Sequence, residues 1–193
     1  GTFHSVFARI LRDEADKLGY PKDFTIYDTD DSRSVIKGIV KEWKLDDKLY
    51  KPSQVHGRIS IAKNNLIGPQ EYLANTELMA GDASVGREKM GELYKAYAER
   101  CFRAGAMDFD DLLFNTNILF RDHPEVMLKY QSRFQYLLVD EYQDTNPRQR
   151  DIVNALAGAR GCLFIVGDMR QSIYRFRRAD VTVFREEQKR IGD

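Results

Sequence analysis

The chain has 193 residues, 42% of them hydrophobic and 11% aromatic, which suits one domain with a real core or one domain carrying an insertion. Lys plus Arg (30) balances Asp plus Glu (30), so net charge points to no nucleic-acid partner, and any phosphate-binding surface must come from local patches. No apolar run approaches the roughly 18 residues needed to span a bilayer, and no secretory leader opens the chain. Cys101 and Cys162 fit no metal-ligand spacing, so buried free thiols in a reducing cytoplasmic setting are expected. A start at Gly1 and an end just after a helical pattern read as an excerpt from a longer protein.

From Thr2 to Leu18, Phe3, Val6, Phe7, Ile10, Leu11 and Leu18 recur at helical spacing, and Gly19 supplies a stop. A strand-like piece, Phe24 to Tyr27, follows. Asp28, Thr29 and Asp30 can cap a second helix carrying Val35, Ile36, Ile39, Val40 and Trp43. From about Asp30 to Gly105 little looks like strand. Pro52 and Pro69 stand where helices can begin, and Met90, Leu93, Tyr97 and Cys101 line one face of a long helix. This stretch reads as a helical subdomain.

The rhythm then changes. Asp108 to Phe120 is helical, and His123-Pro124 interrupts it. Tyr136-Leu137-Leu138-Val139 is a short apolar run ending in acids, Asn146-Pro147 opens a helix, and Cys162 to Val166 is a second run ending in Gly167-Asp168. Strand, helix, strand, then polar loop predicts a parallel α/β sheet buried on both faces.

Two segments carry chemistry. Asp140 and Glu141 leave the carboxyl end of the first predicted strand, where open α/β sheets bind ligands. Asp140 could hold Mg²⁺, directly or through water, while Glu141 orients and deprotonates an attacking water. The same pair also suits a solvated turn after a core strand. The second segment, Gly167 to Arg178, leaves the next strand, and its Gln171 could bond a terminal phosphate or the lytic water. Tyr174 and Phe176 alternate with arginines, the mixture expected where bases stack and phosphates are neutralised. A cationic surface loop with its aromatics tucked into the core is the other reading.

Taken together, Asp-Glu-Tyr-Gln-Asp-Thr-Asn at 140–146 and Gly-Asp-x-x-Gln-Ser-Ile-Tyr-x-Phe-Arg at 167–177 resemble motifs II and III of UvrD/Rep-type superfamily 1 DNA helicases, in order and at a fitting separation. Thr2-Phe3-His4-Ser5 is similar to motif Ib of that family, and Asp108-Phe109-Asp110-Asp111-Leu112 resembles the return into motor domain 1A after its 1B insertion. The resemblance spans essentially the whole chain. It implies a partial RecA-like parallel sheet with helices formed by 1–29 and 106–193, plus a mainly helical insertion over 30–105. It implies ATP and Mg²⁺ as cofactors, with single-stranded DNA, a duplex junction and the remaining helicase domains of a parent chain as partners, and no membrane. Asp140 and Glu141 would be the Mg²⁺ and general-base carboxylates, and Gln171 would couple phosphate state to DNA grip. Gln143, Asp144 and Arg177 would organise the nucleotide cleft. Thr2, Phe3, His4, Tyr174, Phe176 and Arg178 would meet DNA.

The sequence departs from the pattern in places. No Gly-x-x-x-x-Gly-Lys-Ser/Thr phosphate loop occurs, and Gly86 and Gly91 only imitate its spacing inside a helical pattern. By resemblance the phosphate-gripping lysine lies upstream and the second motor domain downstream, so the excerpt alone is expected to be inactive. Arg178 stands where the family usually has glycine, and Phe176 where many relatives have tryptophan. In the insertion, Lys51, Arg58 and Lys63 could meet phosphates or form a solvated face. The expectation is a parent ATP-dependent DNA helicase, 3′→5′ by resemblance, acting in repair or replication. The alternatives are the helicase part of a helicase–nuclease or, for the excerpt, a non-catalytic DNA-binding module.

Overall fold

A computed structural model describes residues 1–142, 145–158 and 162–167. The chain divides into two compact units, Gly1–Thr116 and Asn117–Asp193. The expected mixed α/β class is what the described residues show, with two parallel strand pairs among many helices.

In the first unit, α1 (Phe3–Asp13) starts where the Thr2 side chain accepts the Ser5 N–H at 3.3 Å. Its buried stripe is Phe7, Ala8, Ile10 and Leu11. The predicted single helix to Leu18 is instead α1 followed by a 3-10 turn, Ala15–Leu18, where i→i+3 bonds replace the wider ladder. Gly19 does stop it, at φ 75°. Strand β1 (Thr25–Tyr27) pairs in parallel with β2 (Ala106–Asp108), with Ile26 opposite Met107. Helical periodicity from Asp108 predicts a helix there, but Asp108 ends a three-residue buried strand that precedes the helix, too short to announce itself.

Between these adjacent strands the chain makes a helical excursion. Helix α2 (Thr29–Glu42) begins with a reciprocal box: Asp28 accepts from the Asp30 and Asp31 amides at 2.8 Å, and Asp31 accepts from the Asp28 amide at 3.1 Å. Pro52 and Pro69 open α3 (Pro52–Asn64) and α4 (Pro69–Ala74), where a missing N–H removes no helical bond. Helices α5 (Thr76–Ser84) and α6 (Met90–Arg103) complete the bundle. Its core joins Ile36, Ile39 and Val40 of α2, Val55 and Ile59 of α3, Tyr72 of α4, and Leu93, Tyr94 and Tyr97 of α6. Because β1 and β2 are neighbours, the excursion leaves and returns at one place. Helix α7 (Phe109–Asp122) then follows β2 directly.

In the second unit, α8 (Pro124–Arg133) packs on α9 (Pro147–Ala157), and β3 (Tyr136–Val139) pairs in parallel with β4 (Cys162–Ile165). Helix α9 carries its own capping box, Asn146 with Gln149. The sheet is parallel as expected, but it is not buried on both faces. Tyr136 and Leu138 are each 71% exposed, and Phe164 and Val166 are also open, whereas Val139 is buried. Strand alternation puts Tyr136, Leu138 and Phe164 on one face, and α9 packs against β3. Cys101 is a buried free thiol, but Cys162 is exposed at the first residue of β4, contrary to the expectation for both.

Candidate functional site

Asp140 and Glu141 follow β3 at the carboxyl edge of the β3–β4 pair, the edge at which parallel sheets present ligand-binding groups. The ladder continues past the strands: Val166 N–H donates to the Val139 carbonyl at 2.9 Å, and Tyr142 N–H donates to the Val166 carbonyl at 3.0 Å. Buried Val139 and fully buried Tyr142 therefore pin the loop on either side, while both acids remain exposed. Asp140 Oδ1 accepts the Glu141 N–H at 2.9 Å. Glu141 has φ 54°, in the left-handed region that disfavours a side chain with a Cβ. Holding a non-glycine residue there costs about 1–2 kcal/mol. Strain of this kind persists only where the surroundings over-determine it, and it concentrates at functional sites.

Among the described residues, no group of three or more His, Cys, Asp and Glu side chains is placed to hold an ion. One exposed carboxylate fits a different kind of ion: Mg²⁺ keeps most of its waters and takes one or two carboxylates together with substrate phosphates. Asp140 has the chemistry and exposure for that role. Gln143, Asp144, Gln171, Tyr174, Phe176, Arg177 and Arg178 lie outside the described residues.

The first unit holds the other predicted segment. Thr2 is exposed at the cap of α1, and its carbonyl accepts the Ser5 hydroxyl at 2.8 Å. Phe3 and His4 are half-buried. The Phe3 ring lies 5.8 Å from that of Phe7, and the His4 ring meets the exposed Phe109 ring edge-on at 5.7 Å. Burial lowers the His4 pKa, and the Asp110 charge offsets this in part. Histidine is therefore neutral here at physiological pH, a donor or acceptor rather than a cation.

A groove of about 560 Å³ runs along this segment, lined by Thr2, His4, Ser5, Arg9, Arg12 and Phe109 among others. Thr2, Ser5, Arg9 and Arg12 recur at steps of three and four, so they share one face of α1. Sequence reasoning missed Arg9 and Arg12, although that spacing was the signal. The guanidinium of Arg12 also sits 5.2 Å over the Phe24 ring.

The basic candidates of the helical excursion separate. Lys51 is exposed at the start of α3. Arg58 donates through Nε to the Tyr72 hydroxyl at 2.8 Å and to Asp82 at 3.0 Å, so that nitrogen serves the bundle. Lys63 cannot meet phosphate at all, because its side chain is only 2% exposed. Its Nζ donates to Asp108 Oδ2 at 2.7 Å and lies 2.7 Å from Asp111 Oδ1. The Tyr97 hydroxyl donates to the same Asp108 oxygen at 2.7 Å. Burial opposes the Lys63 charge, yet the two carboxylates hold its pKa well above the ordinary value. Burial likewise opposes the Asp108 charge, and Lys63 overcomes it, leaving that pKa low. Burial and the Asp108 charge push Asp111 up to about 7.

Comparison with known proteins agrees with the motifs. The family model described as the UvrD/REP helicase N-terminal domain matches residues 1–192. The chain is similar to proteins named ATP-dependent DNA helicase PcrA. It is 44% identical over 181 residues to that of Bacillus subtilis (strain 168), covering 94% of this chain and 24% of the relative. Against that of Staphylococcus aureus (strain NCTC 8325 / PS 47), identity is 43% over 180 residues, covering 93% and 24%. For Leuconostoc citreum it is 41% over 180 residues, covering 93% and 23%. The chain thus spans about a quarter of the length of these relatives. With a family match over nearly every residue, and with the acids of the 140–146 motif at the edge of a parallel strand pair, the chain belongs to the UvrD/REP helicase N-terminal domain family.

Proposed function

We propose that this chain is the part of an ATP-dependent DNA helicase or translocase that carries the hydrolytic carboxylates and two DNA-contacting segments. The carrying observation is the loop after β3, where buried Val139 and Tyr142 hold two exposed acids at the carboxyl edge and Glu141 takes a left-handed backbone. Mg²⁺ bound through Asp140 would neutralise charge on the transferred phosphoryl group. Glu141 orients the attacking water and accepts its proton. Gln171 senses the terminal phosphate, with Gln143, Asp144 and Arg177 organising the cleft. Thr2, Phe3 and His4 contact the tracked strand, and Tyr174, Phe176 and Arg178 continue that contact. Residues 1–29 and 106–193 would be parts of motor domain 1A, and 30–105 the 1B insertion. Polarity is 3′→5′, and the work is DNA repair or replication in the cytoplasm.

Glu141→Gln in the full-length protein tests this directly. It keeps the size of the side chain and removes the base, so DNA-stimulated ATP hydrolysis should fall about 10²–10⁴-fold while DNA affinity persists. Hydrolysis at the unmodified rate would sink the assignment. The 193-residue chain contains no phosphate-loop lysine motif, so by itself it should release no phosphate from ATP. DNA-stimulated release from the purified chain would overturn that expectation.

A further inference from the structure

The buried charge cluster is the feature of the first unit that neither hydrolysis nor DNA contact explains. Lys63 comes from α3, Tyr97 from α6, Asp108 from the end of β2 and Asp111 from the first turn of α7. Asp108 and Asp111 also cap each other: the Asp111 amide donates to Asp108 Oδ1 at 2.7 Å, and the Asp108 amide donates to Asp111 Oδ2 at 3.1 Å. The Lys63 ammonium and the Tyr97 hydroxyl therefore tie two helices of the excursion, α3 and α6, to the corner where the chain re-enters the β1–β2 layer.

That corner contains Phe109 and Asp110. The Phe109 ring meets His4, and Asp110 accepts from Asn64 Nδ2 at 2.8 Å, one residue beyond Lys63 on α3. A continuous set of contacts thus runs from the helical excursion through the Asp108–Asp111 corner to the start of α1. Apolar packing would tolerate small slides between helices, whereas a fully buried ammonium with two carboxylates at 2.7 Å does not, because any slide leaves a charge unpaired.

We propose that Lys63, with Asp108, Asp111 and Tyr97, is a positioning centre for the strand-contacting segment: it locks the helical subdomain to the corner whose Phe109 ring sets the place of His4. This rests on the reading of Thr2, Phe3 and His4 as a DNA contact. Lys63 touches no DNA and no nucleotide, and it acts through Phe109.

The experiment uses the full-length protein and an unstructured oligothymidine. The concentration of oligonucleotide giving half-maximal ATPase stimulation, KM for DNA, is measured beside kcat for Lys63→Met, Phe109→Leu, His4→Ala and the double variant Lys63→Met/Asp108→Asn. Lys63→Met should raise KM for DNA about tenfold, the equivalent of a misplaced contact worth 1.4 kcal/mol, with kcat at saturating DNA unchanged. The double variant removes the ammonium and one carboxylate, leaves buried Asp111 free to take up a proton, keeps a capping side chain at 108, and should recover most of the loss. Should Lys63→Met fail to fold, Phe109→Leu carries the test, since Phe109 is 49% exposed and its replacement spares the core. A raised KM for His4→Ala with unchanged values for Lys63→Met and Phe109→Leu overturns the positioning role alone. An unchanged KM for His4→Ala instead overturns the DNA-contact reading on which it rests. Loss of kcat in step with KM for Lys63→Met would mark general damage and also overturn it.

Discussion

Replacing Asp111 by Asn should change how stability depends on pH, and the size of the change follows from the cluster. Lys63 supplies one positive charge to two buried carboxylates, so the fully ionised set carries an excess negative charge. Asp111 bears the consequence: its ordinary value is 3.8, and in the fold it is pushed up to about 7. Between those values the folded chain holds a proton that the unfolded chain has released, so stability falls as pH rises through the window. From pH 5 to pH 8 a group with these two values loses roughly 2–3 kcal/mol. Asp108 has the opposite sign, its contribution being lost as pH falls, but its window lies below 3.8. The contribution of Lys63 is lost only above 10.5.

His4 and His56, both lowered below 6.5, bind a proton more readily when unfolded and so add stability as pH rises. They are unchanged in Asp111→Asn, so the difference between the two proteins cancels them. Trp43 is the single tryptophan and packs against the core of the excursion, so its fluorescence reports the unfolding of this unit. Relative to the parent, Asp111→Asn should gain roughly 2–3 kcal/mol on going from pH 5 to pH 8, or a Tm difference growing by roughly 5–10 °C. A constant difference across that range would refute the reasoning, since it would mean that Lys63 holds Asp111 ionised throughout.

Three further outcomes are expected. Leu93→Ala empties a site with no solvent exposure in the helical core and should cost about 3–5 kcal/mol, read by urea unfolding of Trp43 fluorescence. Gly105→Ala places a Cβ at φ 59° and 3.0 Å from Pro21 Cγ, so it should cost about 1–2 kcal/mol from the backbone alone, measured the same way. Glu141→Gly should relieve the left-handed strain and stabilise the second unit by up to about 1 kcal/mol, seen as slower amide exchange in β3 and β4, while ATP turnover in the full-length protein is lost.

What was legible in the sequence was local. Asp28 stands before an apolar helical pattern, Pro52 and Pro69 stand at helix starts, and Tyr136 to Val139 forms an apolar run. Each is decided by its own neighbours, and each appears where expected. The boundary at Asp108 failed because Ala106–Asp108 is a three-residue strand, defined by pairing with Thr25–Tyr27 some eighty positions away rather than by its own pattern. The open face of β3 and β4 failed for a related reason: an apolar run predicts that a strand wants burial, and only tertiary packing decides which face receives it.

Lys63 is the sharpest case, because composition alone argued the wrong way. A lysine on a helix is ordinarily a solvated cation, and a search for phosphate contacts will select it. Its burial requires two acids, and both stand more than forty residues later in an Asp-Phe-Asp-Asp string whose one local signal is a helix cap. The string therefore serves two purposes at once. Asp108 and Asp111 start α7 by capping each other through one oxygen each, and the other oxygen of each carboxylate forms the counter-charge that draws in α3. Between them Phe109 is left at the surface beside His4, and Asp110 accepts from Asn64. A helix start, the junction with the helical excursion and the proposed support of the Thr2–His4 segment thus coincide in four residues. A change at any of them should be felt at both ends of this unit, and that coupling is visible only once the excursion has folded back.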